Sequence, residues 1–216
     1  MGRLVIEVNR LDVIKTDDPG GRDEPYLWVY GIIIDENDQD PGPLRFVLTS
    51  DPRPGNLGSS KVKAGESKVI PASVGRFSRE INPIINLFVG GILVFAWEHD
   101  NTPAQTMKAA YDDCATILDA FLQQRVSTLQ LGAVTPEQQA ALQADMTAAI
   151  TARIKQTLKL GTLNFDDNVG AEPAVHVFRD ASVAESQALS FNLVSKRSNG
   201  RVIANYRVRG ELRYTP

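Results

Sequence analysis

Carboxylate side chains gather in two stretches of the 216-residue chain, and they are the residues best suited to chemistry. The first stretch contains Asp17, Asp18, Asp23 and Glu24. The second is split into two halves, one with Glu98, His99 and Asp100 and the other with Asp166 and Asp167. Carboxylates that converge repel one another unless a cation binds or protons are taken up. Ca²⁺ takes about 6–8 oxygen ligands from carboxylates, carbonyls and water, so a meeting of these stretches predicts a calcium site.

Blander interpretations of the same residues stay open. Acidic loops are often solvated turns that bind nothing, because Asp side chains readily bond to turn backbone. His99 could be a ligand or a pH-sensing group, but a surface histidine is the simpler interpretation, and His176 lies in a strand-like run and is predicted to be structural. The sequence contains no glycine-rich phosphate loop, zinc-ligand spacing or locally supported Ser/His/Asp arrangement, so we predict that the protein is not an enzyme.

Short strand-like runs lie on both sides of a helical segment. Residues 3–13 alternate between apolar and polar side chains, which predicts a strand with one wetter face. Further strand-like runs are residues 26–34, 44–49, 68–80, 92–97, 173–178, 188–195 and 201–214. Many short strands separated by turn residues predict a mainly β protein, an antiparallel β-sandwich.

Residues 102–160 carry helical signals instead. A capping threonine followed by proline occurs at Thr102 and again at Thr135. After each start, apolar residues recur every three or four positions, and Cys114 lies on the first of these stripes, where we expect it to pack in the core. We therefore predict an αα-hairpin inserted into one loop of a single domain, residues 1–216.

The predicted hairpin has a consequence for the acidic stretches. Antiparallel helices pack within roughly 10 Å of each other, so the two ends of the insertion should be neighbours. That arrangement would bring Glu98 and Asp100 close to Asp166 and Asp167. If the first stretch lies beside them, the carboxylates converge at one end of the sandwich.

The most apolar stretch, residues 81–97, could be mistaken for a membrane span. A spanning helix needs roughly 20 mostly apolar residues, and this run is shorter and contains the turn signal Gly90-Gly91. We predict two buried strands with a turn at the glycines, with Trp97, like Trp28, in the sandwich core. A helix that inserts only on a trigger is the alternative.

Four segments resemble, in the right order, parts of the C2-domain family, the calcium- and phospholipid-binding β-sandwich. They are residues 17–26, 90–100, 167–170 and 209–214. The first resembles the family's first calcium loop, and the last resembles its final strand. The middle two resemble the central strand with its acidic pair and the motif that closes the third loop, although a long insertion separates those two here.

The resemblance implies a C2-like β-sandwich with an inserted αα-hairpin and a Ca²⁺ site. The implied ligands are Asp17, Asp23 or Glu24, Glu98, Asp100 and Asp167, with Asp18 and Asp166 as substitutes. Glu24 and Glu98 stand where the family usually has aspartate. The implied function is a non-enzymatic module that docks on a membrane surface, through phospholipid, or on a protein partner.

Two alternatives stay open beside that function. One is a toxin-like or pore-forming component whose helical hairpin rearranges at a membrane, since amphipathic helices can lie on a bilayer. The other is a structural or assembly protein in which the hairpin is a homo-oligomer interface.

Composition limits the partners further. The net charge is −3, and binding to nucleic acid would need an excess of Lys and Arg on one face, so nucleic acid is disfavoured as a partner. The single cysteine excludes an internal disulfide framework. No leader-like or transmembrane segment is visible, so we expect synthesis as a soluble cytoplasmic protein, while leaderless export and the final localisation stay open.

Overall fold

The structure is a computed structural model that describes residues 2–16, 21–35, 44–81, 88–99, 103–126 and 167–216. Its strands are β1 (Gly2–Lys15), β2 (Arg22–Asp23), β3 (Pro25–Asp35), β4 (Leu44–Thr49), β5 (Val62–Lys63), β6 (Ser67–Val69), β7 (Arg76–Ile81), β8 (Phe88–Glu98), β9 (Asp167–Phe178), β10 (Glu185–Lys196) and β11 (Val202–Thr215). The helices in these residues are α1 (Ala72–Gly75) and α2 (Ala104–Val126).

The described strands form an antiparallel β-sandwich, as the sequence predicted. The first sheet has the order β10-β11-β1-β6, and β7 pairs with the same edge of β1 as β6 does. The second sheet has the order β4-β3-β8-β9, and β2 and β5 form a separate small ladder. Residues 68–80, predicted as one strand, contain parts of β6 and β7 with α1 between them. The break follows from Pro71, which has no N–H to donate and holds φ at −61°.

The alternation predicted for residues 3–13 is confirmed in β1. Leu4, Ile6 and Val8 face the second sheet, and so do Leu11 and Val13. The phase of the pattern changes because the pairing with β11 shifts register between Val8 and the next paired residue of β1. A bulge of this kind inserts one extra residue and so restores the apolar face.

The second sheet is buried on both faces, and every residue of β3 and β8 is buried. One set of alternate side chains, including Leu27 and Val29, packs against the first sheet. The other set, including Trp28 and Trp97, packs under α2. The sequence prediction placed both tryptophans between the two sheets, and this was wrong because the helix covers the outer face of their sheet. The molecule therefore has a third layer, formed by α2.

The first predicted helix is confirmed, and it ends at Val126. Its buried stripe consists of Met107, Tyr111, Cys114, Leu118 and Leu122. Burial raises the pKa of the Cys114 thiol to about 11, as expected for a core residue. The second predicted helix lies outside the described residues. Within the described part of the chain, no helix is both long and apolar enough to cross a membrane.

The turn predicted at Gly90-Gly91 is absent, because both glycines lie inside β8. Gly90 is paired with Ile33 on one side and His176 on the other. A Cβ atom on Gly90 would lie 3.0 Å from the Phe178 ring and 3.2 Å from the Leu4 side chain. The lack of a side chain at Gly90 thus lets neighbouring large side chains approach the sheet, so the glycine serves packing here rather than a turn.

Candidate metal centre at one end of the sandwich

The strand register aligns both halves of the second acidic stretch with the start of β3. Glu98, the last residue of β8, is paired with Pro25 on one side and with Asp167 on the other. Asp167 is the first residue of β9 and not part of a loop, as the sequence had suggested. Asp23 and Glu24 directly precede Pro25. The two ends of the insertion therefore meet, and the first acidic stretch reaches the same end of the sheet.

The chain connecting β1 to β2 leaves from this end as well. β1 runs antiparallel to β11, and Lys15 at its end is paired with Asn205 near the start of β11. The Lys15 ammonium donates a hydrogen bond to the carbonyl of Val202. Asp17 and Asp18, which follow, lie outside the described residues.

Asp23 is a fully buried carboxylate with a defined partner. Its exposed fraction is 0%, and its Oδ2 accepts a hydrogen bond of 2.5 Å from the Tyr206 hydroxyl. Burial of a carboxylate is costly unless it is hydrogen-bonded or paired with a cation. Tyr206 lies on β11, far away in the sequence, and no local pattern indicated this contact.

Glu24 is partly exposed and lies beside two lysines. Its Oε1 is 3.5 Å from the Lys61 ammonium, and the Glu24 side chain is 33% exposed. Lys68 is buried, and its ammonium donates hydrogen bonds to the carbonyls of Leu57 at 3.3 Å and Gly58 at 2.7 Å. Burial lowers the pKa of Lys68, and the negative charge of Glu24 acts in the opposite direction.

Glu98 is the second buried carboxylate at this end, with 5% of its surface exposed. Side chains alternate along a strand, so Glu98 lies on the same face as Ala96, the face that packs against the first sheet. The next residue, His99, donates its backbone N–H to the Glu24 carbonyl at 3.2 Å. The His99 ring meets the Tyr26 ring edge-on, with 6.3 Å between ring centroids, so this histidine packs at the rim of the site.

The remaining candidates are described only in part. Asp100 and Asp166 lie outside the described residues, as do Asp17 and Asp18, and for Asp167 only the strand position is described. Within the residues that the structure does describe, no group of three or more His, Cys, Asp or Glu side chains is close enough to hold a metal ion. The described part of the site is therefore two buried carboxylates, Asp23 and Glu98, with Glu24 at the edge.

The fold and this site define a class: an antiparallel β-sandwich with acidic residues at one end and a helical layer on one sheet. No protein-family model matches the chain, and no curated protein is similar to it in sequence. Among solved structures it is similar to a C2 domain, the one designated A, of a plant extended synaptotagmin 1. That likeness has 9% sequence identity and a TM-score of 0.30, and it covers 100% of this chain and 95% of the other. Agreement at that level says nothing about what the chain binds.

Proposed function

We propose that this end of the sandwich binds Ca²⁺ and that the loaded site docks the protein on a phospholipid surface or a protein partner, without catalysis. The observation that supports the proposal is the register that puts Pro25, Glu98 and Asp167 in one row. The proposed ligands are Asp17, Asp23, Glu24, Glu98, Asp100 and Asp167. All offer carboxylate oxygens, the donors that Ca²⁺ prefers.

The described contacts leave room for such a role. A carboxylate accepts several hydrogen bonds, so Asp23 could bind a cation while it still accepts from Tyr206. Glu24 would have to leave Lys61, but an exposed ion pair of this kind contributes only about 0–1 kcal/mol. A cation would also offset the cost of burying Glu98 next to other negative charges.

Docking would follow from the change in charge. A bound divalent cation turns a negative loop end into a positive one, because its own charge dominates the local field. The cytoplasmic face of membranes and other anionic lipid surfaces attract positive charge. The module would therefore bind anionic phospholipid in the presence of Ca²⁺ and dissociate when the ion is removed.

Thermal unfolding with added Ca²⁺ tests the site. Binding to the folded state alone stabilises it by about 2.7 kcal/mol at a concentration of 100 times Kd, so the melting temperature should rise. The double variant Asp100→Asn with Asp167→Asn should lose this rise. Asp180→Asn makes the same chemical change after the far end of β9 and should keep it. An undiminished rise in the double variant would rule out these ligands.

Sedimentation with lipid vesicles tests the docking step separately. Vesicles that contain phosphatidylserine should pellet the protein when Ca²⁺ is present and release it when a chelator is added. Phosphatidylcholine vesicles and Mg²⁺ are the matched controls. Binding that is equal with and without Ca²⁺ would contradict the proposed switch, even if the melting experiment showed that the ion binds.

A further inference from the structure

The edge strands of the two sheets face each other along one side of the sandwich, away from the acidic end loops. β9 is the edge of the second sheet and β10 is the edge of the first. A groove with a volume of about 380 Å³ lies between them, lined by residues 172–176 and 187–191 and by Leu212. A sheet edge presents unpaired backbone N–H and C=O groups, which a further strand can use.

The groove is closed at both ends by specific contacts. At one end the strands touch, since a Cβ atom on Gly170 would lie 3.0 Å from the backbone nitrogen of Val194. At the other end the His176 Nε2 atom lies 2.6 Å from Oε1 of Glu185. Between these two points the strands separate. The groove is therefore a slot of limited length and not a continuous open edge.

Side chains occupy positions on the β10 edge where a neighbouring strand would form its hydrogen bonds. The Asn192 N–H donates to Oε2 of Glu172 at 3.0 Å. The Ala188 carbonyl accepts from the Gln187 side-chain amide at 3.0 Å. N–H and C=O groups of alternate residues point to the same side of a strand, so the backbone of Ser190 faces the groove too. These contacts show that the edge accepts polar partners at strand-pairing distances.

The two walls of the groove differ in what they offer. β9 has Pro173 in the groove, and proline has no N–H to donate to an added strand. β10 has no proline or glycine and no charged residue between Glu185 and Lys196. The side chains of Leu189 and Phe191 are buried beneath this edge. An added strand would thus pair with β10.

We infer that this groove binds one extended peptide segment of a partner protein, which pairs with β10 through the backbone of Ala188 and Ser190. Five residues in a row on each wall match a segment of about five residues, which spans roughly 16 Å in extended form. The charged and titratable groups at the groove are Glu172, His176 and Glu185, and none of the lining residues is Lys or Arg. Charge complementarity therefore favours a segment with basic side chains.

A second copy of the chain does not suit the groove. The edge of β10 in another copy is flanked by its own β9, which contacts it near Gly170 and Val194. Two such edges cannot enter each other's groove without separating β9 from β10. A free, extended segment carries no such flank, and strand addition of this kind is a common mode of peptide recognition.

Nuclear magnetic resonance with ¹⁵N-labelled protein tests the inference. The probe is a blocked Lys-Val-Thr-Val-Lys peptide added to millimolar concentration. We expect the amide signals of Ala188 and Ser190 to shift and their hydrogen exchange to slow, with little change at the acidic end of the sandwich. A peptide with the same side chains but N-methylated backbone amides cannot pair as a strand and should have no effect. No shift with the first peptide, or equal shifts with the second, would overturn the inference.

Protein variants test the same groove independently. Ser190→Pro removes a groove-facing N–H and should abolish the amide shifts. If that variant does not fold, Glu172→Gln with Glu185→Gln keeps the backbone and should weaken binding of the lysine peptide several-fold. Glu211→Gln, on the outer face of the first sheet, is the matched control and should leave binding unchanged. Equal binding by all variants, or by a Glu-Val-Thr-Val-Glu peptide, would contradict the proposed partner. Because no Ca²⁺ is involved, failure here would leave the proposed function untouched.

Discussion

The two faces of the second sheet are buried by different partners. On the face toward the first sheet, residues such as Leu27, Val29 and Ile33 meet the strands β1, β10 and β11. On the opposite face, large aromatic residues such as Trp28 and Tyr30 meet α2. One face is thus covered by several strands, while a large part of the other depends on a single helix.

The aromatic face also carries polar groups, and these fix the position of the helix. Tyr30 donates its hydroxyl to the backbone carbonyl of Tyr111 at 3.0 Å. The Tyr111 hydroxyl donates to the Val29 carbonyl at 3.0 Å and accepts from the Ser50 N–H at 2.6 Å. Aliphatic contacts are nondirectional, whereas hydrogen bonds have a required geometry. The comparison shows that α2 is held in a specific register on the sheet.

Truncation of Trp28 should have the largest effect on stability. Trp28 is fully buried, its indole donates to the Pro52 carbonyl at 3.1 Å, and its ring lies 4.6 Å from that of Trp97. Trp28→Ala should lower the free energy of unfolding by about 3–5 kcal/mol, measured in urea. Leu27→Ala, on the other face of the same strand, should cost about 2–5 kcal/mol.

An exposed position provides the control for both truncations. Val69 on β6 is 80% exposed, so Val69→Ala should change the free energy of unfolding by no more than about 0.5 kcal/mol. If Trp28→Ala were as mild as Val69→Ala, the helix-covered face would not be a core. The contrast between the two faces would then be one of appearance only.

Loss of a single hydroxyl should have a smaller effect and should sharpen the comparison. Tyr111→Phe keeps the ring but leaves the Ser50 N–H without its partner, so we expect a loss of about 1–3 kcal/mol in the free energy of unfolding. Tyr214→Phe, at the inter-sheet core, removes one hydrogen bond of 3.0 Å to the Ala181 carbonyl and should cost less. Equal losses in urea unfolding would show that the helix gains no special hold from Tyr111.

The same contrast explains which elements could be predicted from the sequence. β1 has one open face, so its side chains alternate and the strand was recognised. α2 has one buried stripe, and it was recognised for the same reason. β3 and β8 are buried on both faces, so they appear as continuous apolar runs without a period. In such a run nothing local distinguishes a glycine that makes room for Leu4 and Phe178 from a glycine that makes a turn.

The site was predictable only in its framework. Helix-hairpin geometry was enough to expect that Glu98 and Asp167 would be neighbours, and the register bears this out. The partners of the carboxylates were not predictable, because Tyr206 and Lys61 come from distant parts of the chain and carry no local signal. Burial of Asp23 likewise depends on how two strands and a small ladder meet, which no spacing in the sequence encodes.

The open face of the first sheet should make that sheet, and not the doubly covered one, sensitive to acid. Asp12 on β1 accepts hydrogen bonds from Arg10 at 2.6 Å and Ser67 at 2.7 Å, and Arg209 lies 2.9 Å away. Burial acts to raise the pKa of Asp12, but the bonds from Ser67 and Arg10 and the two positive charges outweigh it and hold the pKa below the ordinary 3.8.

A carboxyl group whose pKa is lowered by folding stabilises the folded state above its unfolded pKa and loses that contribution as the pH falls through the folded value. Urea unfolding should therefore show a decline below about pH 4 that Asp12→Asn reduces. Because Asp12 lies near the surface, this should be the smallest of the three effects. Glu80→Gln, an exposed carboxylate change on the neighbouring β7, should leave the decline in place. If Asp12→Asn kept the full acid sensitivity, the charges on the open face would not be what joins β1 to β6 and β11, and the first sheet would depend on its inner face alone.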